Sequence, residues 1–159
     1  MRGRLQGGLR PAEAISGVAQ DAQGRLQLAA GNAYAAGVNA FLLVGLGGAL
    51  GAVARFGVGR LVGDSGFPWA TLAVNVAGGL LMGLLAGWLV ARGGTEPLRL
   101  LLGVGVLGGF TTFSAFSLET ILLVVRGAPG QAAAYVLASV VASVGAVAVG
   151  LWMTRDLLQ

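Results

Sequence analysis

"LGGFTTFSAFSLE", residues 107–119, decides how this chain is read. Glycines, a threonine pair and phenylalanines stand inside an apolar segment that a glutamate closes. Working outward, no charge falls between Arg99 and Glu119, and apolar character resumes as far as Val125. A membrane span needs roughly 20 predominantly apolar residues. A helix over 98–125 would be about 42 Å long, against a hydrocarbon core of about 30 Å. Gly108 and Gly109, followed by Thr111 and Thr112, are where this segment is expected to break. Backbone released inside a membrane must be buried in protein or line a cavity. Its carbonyls can then hold a cation, as in the discontinuous helices of transporters. A kinked packing helix is the alternative, because glycine is common in membrane helices.

The rest of the chain has the same character. Of 159 residues, 56 % are hydrophobic and 10 % charged, where a soluble domain carries about 25 % charge. No charge intervenes between Asp64 and Arg92, or between Arg126 and Arg155. Four spans are expected, near 38–58, 68–91, 98–125 and 129–153, separated by short loops that Gly and Pro punctuate. Residues 1–37 are different: arginine, glutamine, glycine and alanine without clear periodicity. They lack the apolar core of a signal peptide and are expected to be a polar extension, disordered or weakly helical, ahead of a domain over 38–155.

Composition also excludes chemistry. There is no histidine and no cysteine, so imidazole and thiolate metal sites and disulfides are ruled out. No paired carboxylates suggest an enzyme. The net charge of +4 comes largely from Arg2, Arg4, Arg10 and Arg25 in the extension, and no basic patch is interleaved with aromatics as nucleic-acid binding would require.

The spans carry small-residue and polar stripes. Thr71, Asn75, Gly79, Gly83 and Gly87 recur at steps of four, so another backbone can approach closely and Asn75 faces protein or a pore. Tyr135, Ser139 and Ser143 make a second polar line, with Ala134, Ala138, Ala142, Ala146 and Gly150 beside it as a packing stripe. Such hydroxyls form a track for an ion, or else bond back to their own helix. The first span has Gly47 and Gly51 and ends in Arg55, which snorkels or draws anions to a vestibule. Outside the extension, Arg92, Arg99 and Arg155 balance Arg55, Arg60 and Arg126 across the membrane. That balance gives the positive-inside rule little to act on and suggests a dimer, antiparallel if the chain inserts both ways.

Three blocks resemble the CrcB/Fluc family of fluoride channels: "GGALGAVARF" (47–56), "TLAVNVAGGLLMG" (71–83) and "GGFTTFSAFSLE" (108–119). The resemblance covers about 38–153. It implies an all-α membrane protein with four transmembrane helices, the third broken, assembled as an antiparallel dual-topology homodimer in the inner (plasma) membrane. It implies passive export of cytoplasmic fluoride, and a structural sodium ion held at the dimer centre by the backbone carbonyls of Gly108 and Thr111. It further implies a fluoride pore lined by Asn75, Thr112, Phe113, Ser114, Phe116, Tyr135, Ser139 and Ser143. Arg55 then stands in the vestibule, and Glu119 is an acid near the path. Two features depart from the pattern. Ala115 stands where the family block commonly has threonine, and the N-terminal extension is longer than usual. The alternatives are a small four-helix drug exporter, which would want an acidic residue deep in a span, and a membrane assembly subunit without transport.

Overall fold

The computed structural model describes residues 11–63 and 65–154. Every regular element in it is helical. Helix α1 runs Pro11–Val62 and α2 Trp69–Arg92. The third span begins as a short turn, α3 (Glu96–Leu98), continues as a π-helical segment (Arg99–Leu107), and reaches α4 (Gly108–Phe110). Helices α5 (Phe113–Val125) and α6 (Pro129–Met153) complete the chain. Four stretches are long and apolar enough to cross a membrane: Ala36–Val62, Trp69–Arg92, Glu96–Val125 and Pro129–Met153. They agree with the expected spans to within a few residues. Of the expected polar extension, residues 1–10 lie outside the described residues, as does Arg155 of the charge balance. The backbone is helical from Pro11. The chain divides into two compact units after Asn39.

Local chemistry explains the boundaries. Gly93 ends α2 in the left-handed region, at φ 65°, and both its N–H and that of Gly94 return to the Leu89 carbonyl, a glycine-dependent helix stop. Proline at the start of α6 supplies a fixed φ where no N–H is needed. In the third span the helical pattern stops at Phe110 and resumes at Phe113, with Thr111 and Thr112 extended between them. The glycine pair expected to open the backbone is itself helical. Gly109 serves close packing instead: a methyl group there would stand 2.9 Å from Gly48 Cα.

Packing follows from the absence of a hydrophobic drive between helices in lipid, where close backbone approach takes its place. Helix α2 is the hub, lying along α6 on one side and touching the π-helical segment, α4 and α5. At the α2–α6 seam, a methyl on Gly79 would lie 2.8 Å from the Ser143 carbonyl oxygen, and one on Gly83 or Gly150 would strike the facing backbone. Gly47 of α1 meets Gly105 of the π-helical segment with similar closeness. The expected small-residue stripe of α6 meets this seam only at its C-terminal end, at Gly150. Ala134, Ala138 and Ala142 are exposed, while Ala132, Tyr135, Ser139 and Gly150 are buried. The polar line itself is the inward face, because Tyr135 anchors a small core with Phe116, Leu123 and Ala132.

Candidate functional site

Asn75 on α2 sits opposite the extended threonines. Its Nδ2 donates to the Thr112 carbonyl at 3.0 Å, and the Thr112 N–H donates to its Oδ1 at 2.8 Å. One side-chain amide thus replaces a peptide group at the interruption. Thr112 also caps α5, its Oγ1 accepting from the Ala115 N–H at 3.3 Å, the usual task of an N-cap threonine. These bonds have a consequence for two carbonyls. The donors that a continuous helix would offer to Gly108 and Thr111 are the N–H groups of Thr112 and Ala115, and both are directed elsewhere. Gly108 is exposed on the single chain and Thr111 half-buried. Among the described residues no cluster of acidic side chains could hold a metal. Neutral carbonyls whose helical donors are directed elsewhere suit a hard monovalent cation.

A groove of about 400 Å³ runs beside this point. Asn75, Thr112, Phe113, Phe116, Ser139 and Ser143 are among its lining residues. Two sets of hydroxyls in the third and fourth spans contrast. Thr111, Ser117 and Thr120 bond back to the carbonyls of Leu107, Phe113 and Phe116 at 2.8–2.9 Å. Ser139 Oγ and Ser143 Oγ are buried with no hydrogen-bond partner. Leaving a buried polar group unpaired costs about 1–3 kcal/mol, so two in one groove call for a reason. The rings of Phe113 and Phe116 are 5.4 Å apart and tilted by 46°. Phe116 is buried against Tyr135, with centroids at 5.2 Å, whereas Phe113 is 78 % exposed.

Glu119 and Tyr135 lie outside the groove. Tyr135, wholly buried, donates its hydroxyl to one Glu119 carboxylate oxygen at 2.8 Å, and Thr71 donates to the other at the same distance. The carboxylate therefore ties α2, α5 and α6 together. It also borders a second cleft, of about 440 Å³, at one end of the spans. Ser114 is exposed, with its Oγ 3.3 Å from Thr112 Oγ1. Neither Ser114 nor Arg55 lines the groove or the cleft. Sequence reading did not single out Thr71 as the partner of Glu119. The signal was present, since Thr71 precedes Asn75 by one turn on the same stripe.

Comparison with known proteins identifies the family. The family model described as "CrcB-like protein, Camphor Resistance (CrcB)" matches residues 42–151. A protein named "Fluoride-specific ion channel FluC" from Novosphingobium aromaticivorans is 58 % identical over 123 residues, spanning 74 % of this chain and 98 % of its own. Proteins of that name from Caulobacter sp. (strain K31) and Phenylobacterium zucineum are 58 % and 56 % identical over 124 residues, covering 74 % of this chain and 96 % and 97 % of theirs. The chain belongs to the CrcB family, and it is a multi-pass membrane protein.

Proposed function

We propose that this CrcB-family chain is a fluoride-specific ion channel of the inner membrane, exporting cytoplasmic fluoride passively as an antiparallel homodimer. The observation that carries the reading is the pair of orphan hydroxyls. Ser139 and Ser143 are buried donors with no protein acceptor, beside a groove that also holds the Asn75 amide and two phenyl rings. A small anion stripped of water needs such donors. Asn75 has a second amide hydrogen to offer, because only one is needed by the Thr112 carbonyl. Ring edges carry partial positive charge and can face an anion. Both Glu119 oxygens already accept hydrogen bonds, from Thr71 and Tyr135, which is a bracing role across three helices.

The driving force is the membrane. Hydrogen fluoride, a weak acid, crosses bilayers neutral and dissociates in the less acidic cytoplasm. The trapped anion then leaves down an inside-negative potential, worth about 2.3 kcal/mol per charge at 100 mV. No catalytic step is involved.

The exposure of Phe113 and Gly108 on one chain is the reason to assign a second copy to that face. The Gly108 and Thr111 carbonyls, two from each copy, would hold a structural sodium ion at the interruption of the third helix. Bound there, such an ion would supply a fixed positive charge. Asn75 and Thr112 hold the extended backbone that presents the Thr111 carbonyl. Fluoride efflux from liposomes containing the purified chain tests the reading. Rapid release of fluoride, with chloride retained, is the expected result; absence of fluoride release overturns it.

A further inference from the structure

The second cleft opens where three spans end. Arg60 lies in the last turn of α1, Trp69 is the first residue of α2, and Arg126 caps the C-terminus of α5. All three line the cleft, with Phe67 and Glu119. In an up-and-down bundle these ends share one side of the membrane, at the level where headgroups meet hydrocarbon. Both arginines are exposed, and neither makes an ion pair or hydrogen bond among the described residues. Arg99, by contrast, is paired with Glu96 through two bonds. Glu119, the acid that borders the cleft, has both oxygens occupied by Thr71 and Tyr135. One wall is aromatic: the rings of Phe67 and Trp69 are 4.6 Å apart, and Trp69 is half exposed.

We infer that this cleft binds the phosphate headgroup of an anionic membrane lipid. Guanidinium forks match phosphate oxygens in geometry and charge. Tryptophan at a span end sits at headgroup level. Basic pockets between membrane helices hold anionic headgroups by the same combination. A soluble phosphate shares the arginine chemistry but leaves the aromatic wall unused, and a lipid uses both. The inference needs only that the chain spans a membrane; it does not depend on which ion is conducted.

The test is native mass spectrometry of the purified full chain taken from an equimolar mixture of phosphatidylglycerol and phosphatidylcholine. Retained phosphatidylglycerol should exceed phosphatidylcholine several-fold in the wild type. The ratio should fall to that of the bulk mixture in an Arg60→Gln, Arg126→Gln double variant that still elutes as folded protein. If that variant does not fold, the Arg60→Lys, Arg126→Lys pair keeps the charges but loses the forks, and should lower the ratio. An unselective wild type, or undiminished selectivity in a folded double glutamine variant, overturns the inference. Binding of glycerol phosphate without phosphatidylglycerol enrichment also overturns it, by assigning the cleft to a soluble phosphate.

Discussion

Asn75 and Thr112 exchange two hydrogen bonds, at 3.0 and 2.8 Å, across the point where the third span leaves helical geometry. The amide of one helix thereby completes the backbone of another. In hydrocarbon there is no water to take its place.

Asn75→Ala leaves both the N–H and the carbonyl of Thr112 without these partners. Each costs about 1–3 kcal/mol when buried unpaired, so a marked loss of thermal stability is expected. Asn75→Asp keeps the acceptor for the Thr112 N–H but puts a carboxylate against the Thr112 carbonyl. Thermal unfolding of the purified variants in detergent checks this, and an alanine variant as stable as wild type would remove the bridging role.

Ser139→Ala should separate stability from transport. The hydroxyl has no protein partner, so its removal should be neutral or stabilising by about 1 kcal/mol. Fluoride efflux should nonetheless fall roughly ten-fold or more, since a hydrogen bond to a charged group is worth about 1.5–3 kcal/mol. Ser117→Ala is the control, because that hydroxyl already bonds to Phe113; its flux should stay near wild type. Equal flux in the two variants would reject the track.

Phe116→Ile tests the ring. Phe116 is packed between Phe113 and Tyr135, and a shape change there should cost about 1–3 kcal/mol. Gel filtration should still show folded protein while fluoride efflux drops strongly. Methionine, with its polarizable thioether, should do less harm. Wild-type flux through a folded isoleucine variant would make the ring mere filling.

Orientation can be read with single cysteines, because the chain has none of its own. Ser65 and Thr95 are exposed, in the loops before and after α2. In a dual-topology population each position, changed singly to cysteine, is labelled by an impermeant reagent from both sides. Labelling of each from one side only would defeat the antiparallel dimer. If a chain starting at Val38 labels from both sides while the full chain does not, the arginines of the extension set the orientation.

The sequence by itself determined the four spans, since charge-free runs and Gly/Pro punctuation are local properties that the membrane reads directly. It also determined which residues share a stripe: Thr71 with Asn75 and the glycines of α2, Tyr135 with Ser139 and Ser143 on α6. Helical periodicity does not say which stripe meets which neighbour. Only the tertiary structure decided that the hydroxyl line of α6, and not its alanine stripe, turns inward, because the bulk of Tyr135 fills the space beside Phe116. The same is true of the extended residues. Glycine freedom pointed to Gly108 and Gly109, but both are helical, the missing side chain of Gly109 serves to bring the Gly48 backbone close, and Thr111 and Thr112 are extended where an amide from α2 can receive the Thr112 peptide. Whether a serine bonds to its own helix or points its oxygen into a groove depends on one rotamer and the atoms facing it. For that reason Ser117 and Ser139 look alike in the sequence and differ in the fold.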